Sequence, residues 1–270
     1  MAHFFIFGLG YTAQRLALGL RSAGWHVDAT GSAGNLVFAD EAGVRAALGG
    51  ASHVLSSVPP AEGCDPVLAC YGDALADKWL GYLSSTGVYG DTQGAWVDES
   101  AALAGSGGIG RRTARAEADS RWLEAGARVF RLPGIYGPGR SALDRVAEGH
   151  ARRINLPEQV FSRVHVDDIL SGVMAAITLG DSVPPGAYNL ADDEPCSQNR
   201  VIEEACRLLG QPLPPLQTME DAGLSTMARG FYAENRRVAN GKVRRVLGWH
   251  PAYPTYRHGL RAIIAQESGS

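Results

Sequence analysis

The chain has 270 residues, of which 45% are hydrophobic and 20% charged, and this ordinary globular composition excludes a mostly disordered chain. Because 28 acidic residues outnumber 25 basic ones, we expect no broad surface that neutralises the phosphates of nucleic acid. The four cysteines form no Cys-x-x-Cys pair, so we expect neither a metal site nor a disulfide framework. No run approaches the ~18 apolar residues of a membrane helix, so we expect no membrane contact and, by default, a cytoplasmic location.

The first half of the chain alternates short apolar runs with amphipathic segments. The predicted strands cover residues 3–7, 25–30, 36–38, 53–57, 79–84 and 128–132. The predicted helices cover the segment that ends before Gly24 and residues 41–48, 66–77 and 111–123. The regular alternation of short strands and helices along the sequence predicts an α/β protein with a doubly wound parallel sheet, covered by helices on both faces.

The regular alternation of predicted strands and helices stops after residue 133. Glycine and proline crowd residues 133–139, and further prolines interrupt the chain at 184–185 and 212–215. The clearest predicted helices beyond this point cover residues 167–179, 198–209 and 255–265. We expect the second half to add elements to the sheet and to build a smaller α/β lobe over its carboxyl edge, where open α/β sheets bind ligands.

A glycine motif joins the first predicted strand to the first predicted helix. Residues 8–13 read GLGYTA, which fits G-x-G-x-x-G/A. Gly8 permits a sharp turn, Gly10 leaves room for a pyrophosphate, and Ala13 lets the helix lie close to the strand. The alternative is an ordinary glycine-rich turn, but the position at the start of a strand–helix–strand unit favours a dinucleotide site at the helix N-terminus. We therefore predict a Rossmann-type dinucleotide-binding domain over residues 1–134 and a mixed region over 135–270 that completes the sheet and forms the substrate lobe.

The acidic residue typical of NAD-selective sites is missing. Such sites place Asp or Glu about 20 residues after the glycine motif, where it holds the ribose hydroxyls. Here Thr30, Gly31 and Ser32 supply no carboxylate, and Asp28 lies within the predicted strand. Because no anion would repel a 2′-phosphate, the sequence favours NADP over NAD, with Thr30 and Ser32 as candidate contacts.

Three further stretches carry a family resemblance. LSSTGVYG at 83–90, RLPGIYGPG at 131–139 and VHVDD at 164–168 occur in the order and at the spacing seen in extended short-chain dehydrogenase/reductases. The chain resembles the NAD-dependent epimerase/dehydratase family, and the likeness extends over nearly the whole sequence.

The resemblance implies roles for particular residues. Ser85 matches the catalytic hydroxyl, which hydrogen-bonds the substrate oxygen; the alternative is a strand-end serine that caps local backbone. Tyr136 and Arg140 lie where the glycine-rich segment would cross the mouth of the cleft, and they are candidate substrate contacts. The implied cofactor contacts are Gly8, Gly10, Tyr11 and Thr12 at the pyrophosphate, Asp40 at the adenine, Ser57 and Pro59 along the wall, and Ser84, Pro133 and Gly134 at the nicotinamide.

The family's Tyr-x-x-x-Lys pair is absent. In family members this pair lies on one face of the helix after the serine strand, where the lysine and the nicotinamide charge lower the tyrosine pKa for proton transfer. This chain has no tyrosine between Tyr89 and Tyr136, and neither Lys78 nor Lys242 follows a tyrosine by four residues. The sequence therefore resembles an atypical branch of the family, with the cofactor cleft present and the standard proton relay missing.

Other residues take the place of the pair on that helix. An alignment anchored on Glu117 puts Ile109 and Thr113 there, and a shift of two residues puts Arg111 and Arg115 there. Arginine stays protonated, so it does not replace an acid/base. It can clamp a phosphate or carboxylate, although an exposed amphipathic helix face is the alternative explanation for this cluster.

The sequence leaves three functions open. The leading hypothesis is an NAD(P)-dependent oxidoreductase that acts on a small carbonyl or a nucleotide-sugar-like ligand. The second is a non-enzymatic redox sensor or binding module, and the third is a lyase or epimerase with tightly bound NAD. The aspartates of VHVDD are expected to cap a helix rather than to bind metal. Family likeness also implies a homodimer formed through the helix faces near Asp73 and over 111–122.

Overall fold

The computed structural model describes residues 2–61, 63–104, 111–225, 229–230 and 232–268, with the side chains of 111, 112 and 268 outside the description. The strands are β1 (His3–Phe7), β2 (His26–Ala29), β3 (His53–Ser56), β4 (Trp79–Ser85), β5 (Trp96–Val97), β6 (Arg128–Leu132), β7 (Gly134–Tyr136), β8 (Arg153–Ile154), β9 (Arg163–His165), β10 (Gly186–Asn189), β11 (Leu216–Gln217) and β12 (Arg237–Val238). The helices labelled here are α1 (Tyr11–Ser22), α2 (Glu41–Gly50), α3 (Pro66–Tyr71), α4 (Arg111–Glu124), α5 (Ala142–Ala147), α6 (Val166–Leu179), α7 (Gln198–Leu209), α8 (Gly241–Leu247) and α9 (Tyr256–Ser268).

A six-stranded parallel sheet forms the centre of the molecule. Its strand order is β10-β6-β4-β3-β1-β2, and every neighbouring pair is parallel. The inner strands are largely buried on both faces because helices cover both sides, and all five residues of β6 are buried. The predicted α/β fold with a Rossmann-type doubly wound parallel sheet is confirmed. Its carboxyl edge, at the ends of β1, β3, β4 and β6, carries the candidate site.

Helices pack a separate apolar core against each face of the sheet. On one face, Leu16 of α1 and Val173 of α6 belong to one cluster. On the other face, Val44 of α2 and Trp122 of α4 belong to a second cluster. A third cluster joins α5, α7 and α9 around the fully buried Leu260. Within the described residues, no helix is long and apolar enough to cross a bilayer.

The predicted strand at 36–38 is wrong. Only Leu36 makes a bridge, to Thr30, and Val37 is 70% exposed. The edge of β2 is instead covered by the Asn35 side chain, whose Oδ1 accepts from the backbone N–H of Ala29 at 2.9 Å. A side chain that satisfies the edge strand removes the need for another strand there.

Two helix predictions also differ from the structure. The predicted helix at 66–77 ends at Tyr71 and continues as a 3-10 helix over Gly72–Leu75. Helix α6 is capped by His165, whose Nδ1 accepts from the N–H of Asp167 at 3.2 Å. The aspartates therefore do not cap it. The Asp168 carboxylate accepts instead from the N–H groups of Ala252 and Tyr253, and so ties the start of α6 to the C-terminal loop.

A buried ion pair lies directly beneath the end of β4. Arg131 Nη2 and Asp119 Oδ1 are 2.7 Å apart, and their side chains are 3% and 0% exposed. The Ser84 hydroxyl donates to Asp119 at 2.6 Å, and Arg131 Nη1 donates to the Tyr89 hydroxyl at 3.0 Å. The pair therefore joins α4, β6 and the chain on both sides of Ser85.

We expect Asp119→Ala to lower the free energy of unfolding by about 3–5 kcal/mol, because it leaves a buried guanidinium without its counter-ion. Urea denaturation followed by circular dichroism measures the loss. The matched control is Asp73→Ala, which removes the exposed partner of Arg45 and should cost no more than about 1 kcal/mol. Equal costs for the two substitutions would contradict the role given to the buried pair.

Candidate functional site

The turn between β1 and α1 is held by contacts from two neighbouring strands. Gly8 has φ +83°, and a Cβ there would lie 2.9 Å from Val58 Cγ2. The Gly8 N–H donates to Thr30 Oγ1 at 3.2 Å, and the Gly8 carbonyl accepts from the Ser57 hydroxyl. The Leu9 N–H donates to the Thr30 carbonyl at 2.7 Å. Any residue other than glycine at position 8 would strain this turn.

The second glycine of the motif leaves open space. Gly10 is the N-cap of α1 and provides no side-chain cap. A Cβ added at Gly10 would meet no atom of the described residues within 4 Å. The first N–H groups of a helix have no acceptor within the helix, so those of Tyr11 and Thr12 remain available beside this space, at the positive end of the helix dipole.

Two adjoining cavities form a groove along the carboxyl edge of the sheet. Both are lined by Gly10 and Ser57. The smaller cavity has a volume of about 400 Å³, and the larger one about 910 Å³. The smaller cavity is lined by Gly8, Leu9, Gly10, Thr30, Gly31, Ser32, Phe38, Ser57, Val58 and Pro59. The site residues predicted from the sequence that line the larger cavity are Gly10, Tyr11, Thr12, Ser57, Ser84, Ser85, Pro133, Gly134 and Arg140.

Two candidates from the sequence lie outside this groove. The Asp40 carboxylate caps α2 by accepting from the Gly43 N–H at 3.1 Å, and the neighbouring Phe38 lines the smaller cavity instead. Tyr136 is buried and packs its ring edge-to-face against His165 at 5.2 Å. Neither side chain is among those that line the two cavities, so the structure does not bring either to the groove.

The two serines at the end of β4 differ in environment. The Ser84 hydroxyl donates to buried Asp119, which directs it into the protein. Ser85 Oγ lines the larger cavity and accepts from the Gly87 N–H at 3.1 Å. The backbone contact proposed as the alternative role of Ser85 therefore exists. A hydroxyl can accept one bond and donate another, so the Ser85 O–H is still able to donate to a ligand oxygen.

Positive charge predominates in the larger cavity. Among its described lining residues, the charged side chains are Arg115, Arg140, Arg236 and Glu234. Arg236 donates through Nη1 to the Gly90 carbonyl at 2.7 Å and to the Glu234 carboxylate. Three guanidinium groups against one carboxylate favour an anionic ligand, since guanidinium binds carboxylate and phosphate through paired hydrogen bonds.

Arg140 and Tyr11 contact each other in the lining of the larger cavity. The Arg140 guanidinium carbon lies 5.5 Å from the centre of the Tyr11 ring. The Tyr11 hydroxyl donates to the Pro138 carbonyl at 3.1 Å. Burial raises the pKa of Tyr11 above its ordinary value, so this phenol stays protonated and holds the glycine-rich segment against the β1–α1 turn.

The structure also locates the positions aligned with the missing Tyr-x-x-x-Lys pair. Ile109 and the side chain of Arg111 lie outside the described residues. Thr113 is buried and is not among the lining residues, whereas Arg115 lines the larger cavity. The described lining of this cavity includes one tyrosine, Tyr11, and no lysine.

Sequence reasoning missed part of the lining. Glu234 and Arg236 come from the segment before β12, more than 140 residues after Ser85, and no local motif marks them. Phe161 and Ser162, beside β9, were missed for the same reason. Only the tertiary fold brings these residues over the end of β4.

Solved structures of other proteins share the fold of this chain. No family model matches the chain. A functionally unknown conserved protein from Silicibacter pomeroyi DSS is 40% identical, with a TM-score of 0.86 over 98% of this chain and 99% of that one. The dTDP-glucose 4,6-dehydratase of Bacillus anthracis str. Ames, solved in complex with NAD, is 15% identical with a TM-score of 0.74 over 100% and 97% of the two chains, and it shares the fold.

The class of protein is therefore a Rossmann-type α/β protein, with a fold that the NAD-bound dehydratase shares. At that identity and coverage, the chain belongs to the same family as the Silicibacter pomeroyi protein. A curated relative, the 3-diazoavenalumate denitrifying reductase of Streptomyces sp, is 34% identical over 146 residues. That match spans 49% of this chain and 45% of the relative, so less than half of the reductase is represented.

Buried His165 predicts a measurable pH dependence of stability. Burial lowers the pKa of His165 to about 4, below its ordinary value near 6.5, and its Nε2 has no hydrogen-bond partner among the described residues. Below pH 6.5 the unfolded chain therefore takes up a proton before the folded chain does, and wild type loses stability until about pH 4. The His165→Gln variant has no imidazole at this position to take up a proton, so it does not lose stability in this way.

We expect the cost of His165→Gln in free energy of unfolding to shrink by roughly 3 kcal/mol between pH 7 and pH 4. Chemical denaturation of both proteins across this range measures the difference. The matched control is His250→Gln, which replaces an exposed histidine. A cost of His165→Gln that stays constant with pH would show that His165 is not held neutral by burial.

Proposed function

We propose that the chain binds a nicotinamide dinucleotide along the groove at the carboxyl edge of the sheet. The observation that carries this proposal is the empty space at Gly10 beside the uncapped start of α1. A pyrophosphate fits there, because it needs bare backbone, free N–H groups and the positive end of a helix dipole. The two cavities extend to either side of Gly10, as the two halves of a dinucleotide require.

The preferred cofactor is NADP, with NAD as the alternative. No acidic side chain belongs to the described lining of the smaller cavity, whose polar side chains are Thr30, Ser32 and Ser57. Asp28 is hydrogen-bonded to Asn35 and does not line the cavity. A 2′-phosphate would therefore meet no carboxylate at this end of the groove.

The activity that the cavity supports best is that of an oxidoreductase on a small carbonyl or a nucleotide-sugar-like substrate with an anionic group. When bound, the nicotinamide supplies or accepts a hydride. The Ser85 hydroxyl, which already accepts from Gly87, donates to the substrate oxygen at the reacting carbon. Arg115 has no hydrogen-bond or ion-pair partner among the described residues, so its guanidinium is available for a substrate carboxylate or phosphate. The curated relative named as a reductase supports the same class of reaction.

A second candidate function is a redox sensor that responds to dinucleotide occupancy without turnover. It is favoured by the absence of a lysine and of any tyrosine other than Tyr11 from the described lining of the larger cavity. In the oxidoreductase, substrate, water or a group outside the standard pair has to carry the proton. The two functions differ in whether the Ser85 hydroxyl changes a measurable rate.

Gly10→Val tests the cofactor site. The added side chain fills space that no atom of the described residues occupies, so the fold should persist while the dissociation constant for NADPH rises at least about tenfold. Quenching of protein fluorescence or isothermal titration calorimetry with NADPH and NADH gives the constants. Gly49→Val in α2, where a Cβ would also meet no atom within 4 Å, is the matched control. Unchanged affinity in Gly10→Val, or no binding by wild type, would remove the proposal.

Ser85→Ala separates the enzyme from the sensor. If Ser85 orients the reacting oxygen, kcat/KM with a carbonyl substrate should fall by roughly 10²-fold while NADPH affinity is kept, because one donor to the developing negative charge is lost. The readout is NADPH oxidation at 340 nm against a panel of anionic aldehydes and ketones. The control is Ser52→Ala, because Ser52 lies just before β3, at the amino edge of the sheet and away from the groove. Turnover that is indifferent to Ser85 would contradict its catalytic role.

A further inference from the structure

A cluster of two imidazoles and one carboxylate lies at the amino end of the sheet, away from the groove. His3 begins β1, and His26 begins β2 directly opposite it in the strand register. Asp28 lies two residues further along β2, so its side chain is on the same face of the sheet as that of His26. The possible ligand atoms of the three residues all lie within 4.8 Å of one another.

Two of the three separations match those of a metal site. His3 Nε2 and His26 Nε2 lie 3.0 Å and 3.3 Å from the same oxygen, Asp28 Oδ2. Ligands about 2.0–2.1 Å from a tetrahedral zinc ion are about 3.3 Å from one another. All the possible ligand atoms lie within 4.8 Å of one another, so the three side chains can coordinate one ion once they move closer together.

The surroundings orient the carboxylate for this role. Asn35 Nδ2 donates to Asp28 Oδ1 at 2.7 Å, which leaves Oδ2 directed at the imidazoles. Asn35 thereby fixes the orientation of the Asp28 carboxylate, as hydrogen-bonded neighbours of metal ligands commonly do.

We propose that His3, His26 and Asp28 form a binding site for a divalent transition-metal ion of the zinc type. Two nitrogens and one carboxylate oxygen suit zinc better than calcium or magnesium, which take mainly oxygen ligands. The His26 side chain is 56% exposed, so the ion enters from solvent and keeps water in the fourth position.

The bound ion cross-links the edge of the sheet. Strand β2 is an outer strand of the sheet and is paired within it to β1. An ion held by His3 on β1 and by His26 and Asp28 on β2 ties the two strands together at their amino ends. Through Asn35, which also accepts from the Ala29 N–H, the same ion steadies the segment after β2 that lines the smaller cavity. The groove lies at the opposite, carboxyl edge of the sheet, so the ion does not touch a ligand bound there. The role of the ion is therefore structural.

The test is isothermal titration calorimetry of the full chain, freed of any affinity tag and of metal, with ZnCl₂ at pH 7.5 and without dinucleotide. Wild type should bind one zinc ion per chain, and zinc should raise its Tm because the ion binds the folded state. His26→Gln should bind at least about tenfold more weakly and lose the Tm shift. Asn35→Ala should bind about tenfold more weakly while all three ligands remain.

The control is His150→Gln, which removes an exposed histidine beside a single carboxylate, Glu148. It should bind zinc as wild type does. No saturable binding by wild type, or the same affinity in wild type and His26→Gln, would overturn the proposal and leave a hydrogen-bonded His–Asp–His cluster. Because no dinucleotide is present, these outcomes are independent of the fate of the proposed cofactor site.

Discussion

The close approach of the β1–α1 turn to the end of β3 is the constraint on which the rest of the candidate site depends. With φ +83° at Gly8 and Val58 Cγ2 only 2.9 Å from where a Cβ would lie, the chain turns at the end of β1 without a side chain. The Ser57 hydroxyl and both polar groups of Thr30 hold the turn in place. This geometry directs the start of α1 into the groove and leaves the space beside Gly10 open, which is the basis for the proposed dinucleotide site.

The two edges of the sheet have different chemistry. The carboxyl edge combines an uncapped helix start with the guanidinium groups of Arg115 and Arg236, which suits anions. The amino edge combines His3, His26 and Asp28, which suits a cation. The buried pair of Asp119 and Arg131 lies beneath the carboxyl edge and joins α4 to β6 and, through the Ser84 hydroxyl, to β4.

Sequence reasoning predicted the fold and the turn because both depend on local patterns. The alternation of strands and helices follows from apolar periodicity, and GLGYTA is one continuous segment. It could not predict Glu234 or Arg236, since only the tertiary fold brings them beside Ser85. It missed the histidine cluster because the register of β1 against β2 joins residues 23 positions apart. The strand at 36–38 failed because an Asn35 side chain satisfies the edge of β2. The division at residue 134, the homodimer and the location stay predictions.

The most direct measurement is the crystal structure of the protein grown with saturating NADP. The account predicts the pyrophosphate against the N–H groups of Tyr11 and Thr12, the 2′-phosphate near Ser32, and the nicotinamide between Ser85 and Pro133. It also predicts no tyrosine hydroxyl and no lysine within hydrogen-bond distance of a substrate oxygen held by Ser85. A groove without nucleotide under these conditions, or a tyrosine–lysine pair over the nicotinamide, would contradict the account.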